Sequence, residues 1–184
     1  MLLPWGTTSV LGQVVAVLNA ALQPETDPAF NELVVVTGGA REAVEAEVAR
    51  LTENFPVRCI HNPAHQAGEM LSSLQCGLAE LGPQVESALI GLGDQPQLSL
   101  SATRMVLSAF ESSGARLVVP SYQMRRGHPW LVERGLWTEL LNLKAPQTLR
   151  EFLNVHAQEI QYVDTDQTIL KDLDTPEDYQ RERP

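Results

Sequence analysis

At 184 residues the chain is long enough for one domain with a substantial core and too short for two full ones. A formal net charge of -10 excludes a duplex DNA or RNA binder, which needs a basic patch, and no run of about 18 apolar residues offers a membrane span. Two cysteines, Cys59 and Cys76, with no CxxC pair and no histidine at zinc spacing, predict buried free thiols in a reducing, cytoplasmic setting, and Met1 to Gly6 lacks a signal-peptide pattern.

Met1 to Gly6 reads as the end of a loop. Val10 to Leu22 follows as an amphipathic helix with Val10, Val14 and Leu18 on one stripe and Leu11, Val15 and Leu22 on the next. Leu33 to Thr37 is a β-branched strand closed by Gly38-Gly39, and Arg41 to Leu51 is a helix with a charged face. Val57 to His61 gives a second strand ending at Asn62-Pro63, and Met70 to Leu81 a helix with Gly68, Ser72 and Ser73 at its amino end. Ala88 to Gly93 is an uncharged run suited to a strand buried on both faces, and Ser99 caps a helix to about Ser112. Arg116 to Pro120 is a fourth strand. Beyond it come a basic turn over Arg125 to Pro129, a short strand at Trp130 to Val132, helices over Leu136 to Leu143 and Leu149 to Val155, and an edge strand at Ile160 to Val163. The closing helix within Asp172 to Arg183 takes Asp174 or Thr175 as N-cap, Pro176 in its first turn and Asp178 as the partner of a capping box. Strands alternating with helices predict right-handed crossovers and a mostly parallel α/β sheet in one domain, 1–184.

Four stretches fall at the carboxyl ends of strands, the edge where open α/β sheets bind ligands. Asp94-Gln95-Pro96 ends the most apolar strand, and Asp94 reads either as a functional carboxylate or as a turn former. Gly68, Ser72 and Ser73 offer N–H groups and hydroxyls to an anion or a base edge, or serve as plain caps. Arg125, Arg126 and His128 are the one dense positive cluster and suit a phosphate-bearing substrate, or form a solvated turn. Asp172 and Asp174 alternate around Leu173, so an extended backbone turns both to one face, where together with Asp94 they can hold Mg²⁺. His61 and His65 have no carboxylate or cysteine at ligand spacing and read as surface or half-buried rings.

The ordered set Leu2-Leu3-Pro4-Trp5-Gly6, Gly68 to Leu74, Gly93-Asp94-Gln95-Pro96, Arg126-Gly127-His128-Pro129 and Asp172 to Asp178 resembles the MobA-like nucleotidyltransferases, in particular the molybdenum-cofactor cytidylyltransferase branch. The resemblance implies a three-layer Rossmann-like fold and Mg²⁺-dependent transfer of a nucleotidyl group from a nucleoside triphosphate, CTP favoured, with release of pyrophosphate. The acceptor it implies is a molybdopterin-type cofactor, or alternatively a sugar phosphate or other phosphorylated acceptor. Asp94 and Asp172 would be catalytic, with Asp94, Asp172 and Asp174 as metal ligands. Gly68, Ser72, Ser73 and Asp94 would face the nucleotide, and Gln95, Arg126 and His128 the acceptor. Self-association or a molybdoenzyme partner is implied as well. Members open with a strand and a glycine-rich loop carrying Arg and Lys, and this sequence has neither. Two expectations follow: a natural start about 20 residues upstream, judged from the length of one strand and its loop, or a non-catalytic, cofactor-binding paralogue with two sheet edges facing a gap.

Overall fold

The structure, a computed structural model, describes residues 1–22 and 32–184, leaving aside the side chains of 67–69. The chain opens with a small antiparallel hairpin, β1 (Pro4–Trp5) and β2 (Thr8–Ser9), where the sequence suggests only a loop. The hairpin turns at Gly6, whose φ of 57° suits a residue without Cβ. Next come α1 (Val10–Leu22), β3 (Leu33–Thr37), α2 (Arg41–Leu51), β4 (Val57–His61), α3 (His65–Ala79) and β5 (Ser87–Ile90). The second half holds α4 (Leu100–Ser113), β6 (Leu117–Tyr122), β7 (Arg125–Arg126), β8 (Trp130–Glu133), α5 (Trp137–Asn142), α6 (Leu149–Val155), β9 (Ile160–Asp164) and α7 (Pro176–Glu182).

β3 and β4 pair in parallel, Leu33 opposite Val57. In the larger sheet β8 lies between β5 and β6 and runs antiparallel to both, while β9 pairs with β6 in parallel. Thus β5, β6 and β9 share one direction, as crossover helices require, and β8 reverses because the tight turn after β6 feeds straight back. The two sheets are not hydrogen-bonded to each other among the described residues.

Alternation along the strands assigns the layers. Leu117, Val119, Trp130, Val132, Ala88 and Ile90 point to one face and pack with Leu74 and Leu78 of α3, Trp137 and Leu140 of α5 and Phe152 of α6. Val118, Leu131 and Leu89 point to the other, against Val106, Leu107 and Phe110 of α4. Leu11 and Val15 of α1 and Val44 and Val48 of α2 cover Leu33, Val35, Val57 and Cys59 on that same side. This is the three-layer arrangement expected. Helices tie the two sheets into it: α3 meets Val36 of β3 at Gly77 while Leu78 enters the core of the larger sheet, and Leu18 of α1 packs by Gly91 just past β5.

Cys59 and Cys76 are free thiols, half-exposed rather than buried, and burial still pushes both upward in pKa. No helix among the described residues is long and apolar enough to cross a membrane.

Candidate active site

The apolar strand β5 stops at Ile90, and Gly91-Leu92-Gly93 carries the chain beyond the sheet to Asp94 and Gln95. From the opposite edge of the same sheet, β9 and a 3-10 turn over Gln167–Leu170 lead to Asp172. The two segments are joined by main chain and side chain. The Leu173 N–H donates to the Asp94 carbonyl at 3.1 Å, and the Gln95 amide nitrogen donates to the Asp172 carboxylate. A carboxylate can only accept, so this bond fixes the amide's orientation and leaves Gln95 Oε1 buried without a partner among the described residues. Gln95, expected to face the acceptor, is 2% exposed and faces Asp172 instead.

Asp94 is half-buried. Desolvation raises its pKa above the usual carboxylate range, and the charges of Asp172 and Asp174 push it the same way. His128 joins this group through its backbone: its N–H donates to the Ile169 carbonyl at 3.1 Å, and Gly127 before it bonds Pro120 O at 3.0 Å. Burial lowers the His128 imidazole to about 4 against the opposing pull of Asp172, so the ring is neutral at pH 7. Any Cβ on Gly127 would overlap the Ile169 carbonyl, which explains a glycine at the closest approach of the two segments.

The second region begins at Asn62, 2% exposed. Its Oδ1 accepts from Ala64 N, an Asx turn that starts α3 at His65, well before the Met70 that periodicity suggests. Gly68 therefore lies in the second turn of the helix, its surroundings outside the described residues. Ser72 and Ser73 lie a turn further on, not at a free amino end, and their hydroxyls accept from Asn62 Nδ2 at 2.8 and 3.2 Å. The anion-binding helix terminus read from these serines is thus absent at their position. His61 bonds Thr37 and His65 bonds the Asn62 carbonyl, which makes both structural.

Beside the carboxylates opens a cavity of about 1860 Å³, lined among others by Ser72, Gln75, Arg126, His128, Trp130 and Tyr162. His128 belongs both to its wall and to the carboxylate group. Of the basic turn expected over Arg125 to Pro129, Arg125 and Arg126 form a strand, β7, paired with β6; the turn itself is Gln123-Met124, both at positive φ. Arg126 donates from Nε and Nη2 to Tyr162 Oη at 2.9 and 2.7 Å and from Nη1 to Asn154 Oδ1 at 2.7 Å. Tyr162 and Asn154 carried no sequence signal, because their relevance arises only when β9 and α6 are brought alongside β7.

Among the described residues no three His, Cys, Asp or Glu side chains converge as a ready-made metal cage, so Asp94, Asp172 and Asp174 do not form the three-ligand set expected of them. The donors present are hard carboxylate oxygens, with mutual repulsion at Asp94 that a divalent cation relieves, and this suits a cation held by one or two carboxylates with substrate oxygens completing its shell.

The three-layer α/β fold is one that solved nucleotidyltransferase structures share. The chain belongs to the MobA-like NTP transferase domain family, whose model matches residues 1–161. It is similar to Rv0371c of Mycobacterium tuberculosis H37Rv, solved as a complex with manganese, at 26% identity over 98% of this chain and 89% of that one, TM-score 0.76. A homolog of that protein from Mycobacterium sp. strain JC1 is 29% identical over 98% and 84% of the two chains, TM-score 0.74. The fold is also that of the 4-diphosphocytidyl-2C-methyl-D-erythritol synthase of Anaerococcus prevotii, at 15% identity over 97% and 89%, TM-score 0.75. No curated protein sequence matches the chain.

Proposed function

We propose that this chain is a one-domain cytoplasmic nucleotidyltransferase that moves a nucleotidyl group from a nucleoside triphosphate, CTP first, to a phosphorylated acceptor with release of pyrophosphate. A molybdopterin-type cofactor is the leading acceptor, and a sugar phosphate is the alternative. The observation that carries the reading is the Asp94–Gln95–Asp172 junction at the end of β5, adjoining the cavity through His128.

Asp94 and Asp172 would hold Mg²⁺, which when bound supplies charge neutralisation for the triphosphate and orientation of its α-phosphate. The chain's own contribution is positional. Gln95 keeps one Asp172 oxygen engaged, so the carboxylate cannot swing away into solvent. His128, neutral at pH 7, can donate one hydrogen bond to an oxygen at the junction of cavity and carboxylates without adding charge. The acceptor phosphate, lying in the cavity, would attack the α-phosphorus as the bond to the β-phosphate oxygen breaks. Ordering of these groups accounts for most of the rate in such transfers.

The test is calorimetric titration of CTP, GTP and ATP with Mg²⁺ into the 184-residue chain, followed by measurement of pyrophosphate release with acceptor present. Selective CTP binding with release abolished by Asp94→Ala supports the proposal. Acceptor binding with no triphosphate binding and no release would instead mark a non-catalytic cofactor-binding protein.

A further inference from the structure

The loops that carry Asp94 and Asp172 leave the larger sheet at opposite edges, past β5 and past β9, and among the described residues no strand pairing holds them side by side. Asp94 and Asp172 are like charges and push apart. Two links lie within the pair itself, from the Leu173 N–H to the Asp94 carbonyl and from the Gln95 amide to Asp172. A third comes from outside it. Glu182, the last residue of α7, accepts with Oε2 from the side-chain amide of Gln97, in the Asp94 loop, and from Lys171 Nζ at 2.9 Å, next to Asp172. One carboxylate oxygen thus takes a donor from each loop.

The other oxygen, Oε1, accepts from Arg181 Nε at 3.0 Å. Two cations therefore neutralise Glu182, and it adds nothing to the repulsion between Asp94 and Asp172. The side chains of Lys171 and Glu182 are 33% and 22% exposed, against 54% and 37% in the surface pair Arg41–Glu45, so solvent screens this bridge less. Three donors on one carboxylate also form a network, which holds more firmly than an isolated surface pair. The support itself is fixed: Thr175 and Asp178 cap each other at the start of α7, and Tyr179 donates to the Pro4 carbonyl. Glu182 lies outside the residues 1–161 matched by the family model and outside every motif read from the sequence.

We propose that Glu182 is a positioning residue that braces the Asp94 and Asp172 loops against each other from α7, so that both carboxylates are set to face one divalent cation. The inference rests on the reading of that pair as the cation site, and adds to it a residue that touches neither cation nor substrate.

The first arm of the experiment involves no metal. Native-state hydrogen exchange of the isotopically labelled 184-residue chain is followed at the Leu173 amide, which bonds Asp94, and at the Tyr179 amide, which bonds Thr175 within α7. Glu182→Ala, a change that helices accept readily, should speed exchange at Leu173 about 10-fold or more, the size of one lost hydrogen bond to a charged group, and leave Tyr179 as it was. Gln97→Ala should also speed Leu173, and combined with Glu182→Ala should add nothing to it, because the two act through one bond. It stands in if the Glu182 variant fails to fold. In the second arm, Mn²⁺ affinity followed by electron paramagnetic resonance should fall about 10-fold in Glu182→Ala, as for other residues that orient a metal ligand. Unchanged exchange at Leu173, equal acceleration at Leu173 and Tyr179, or full additivity of the two substitutions overturns the brace. Mn²⁺ affinity unchanged in a variant whose Leu173 exchange has risen overturns the positioning role. A native chain that binds no Mn²⁺ sinks the cation reading alone, since the exchange arm still decides whether Glu182 holds the loops together.

Discussion

At the scale of single residues, Asp94 carries a conflict between stability and chemistry. Its pKa in the fold is raised by desolvation and by Asp172 and Asp174, so at pH 7 the folded state bears the cost of an ionised carboxylate that the unfolded chain does not. Asp94→Asn removes that cost: thermal unfolding at pH 7 should show a higher melting temperature than the native chain, while metal-dependent pyrophosphate release falls by about 100-fold or more, the range for losing one charge-stabilising group. Gln95→Leu leaves Asp94 intact but frees Asp172. Manganese affinity followed by electron paramagnetic resonance should weaken about 10- to 100-fold, as for other residues that orient a metal ligand. The place of Asp94 was legible from sequence because a carboxylate just past an apolar strand has a predictable location, whereas Asp172, beyond β9 and a 3-10 turn, was singled out by its alternation with Asp174 and by the motif resemblance. The task of Gln95 was not legible, since its partner lies 77 positions away.

At the scale of elements, two devices join pieces distant in the chain. Thr175 and Asp178 form a reciprocal capping box at the start of α7, and Tyr179 then donates to the Pro4 carbonyl at 2.6 Å while packing on Trp5 and Val10. Thr175→Ala should cost about 1 kcal/mol in denaturant unfolding, the usual value of an N-cap. His156, at the end of α6, lies between Glu139 of α5 and Glu159 before β9, each at 2.9 Å. Burial opposes its charge, but the two carboxylates outweigh burial and the imidazole is raised above 6.5. A raised folded-state value means the clamp contributes fully below the unfolded pKa and is lost as pH climbs through the folded one. Stability should therefore decline from about pH 6 into the alkaline range by an amount that His156→Gln removes, as read from paired denaturation curves. The capping box was readable locally because all its members lie within four residues. The clamp was not, for although Glu159 lies three residues from His156, its other member, Glu139, comes from α5, 17 positions away. The start of α3 was misread for a related reason: a buried Asn62 opens the helix, whereas the hydroxyls that suggested the start face back onto that asparagine.

For the whole molecule, the arrangement is one of two sheets held in register by shared helices rather than by strand pairing. β3 and β5 each have one edge unpaired among the described residues, and α1 and α3 span the interval between them. A ligand that binds only the folded chain must stabilise it, by about 2.7 kcal/mol at a hundredfold excess over its dissociation constant. Mg²⁺ with CTP should accordingly raise the melting temperature of the native chain and leave that of Asp94→Asn unmoved. A rise of equal size in both would detach nucleotide binding from Asp94.

What the sequence determined by itself was the periodic part of the molecule. Hydrophobic spacing and turn chemistry are local, and they were enough for the strand–helix order, the capped closing helix and the carboxylates at the strand ends. Only the tertiary structure decided that β8 returns antiparallel between β5 and β6, that Gln95 turns to Asp172, and that Tyr162 and Asn154 hold Arg126 over the cavity. These depend on which segments meet in space, and burial and hydrogen-bond satisfaction across distant segments, not local spacing, select those meetings.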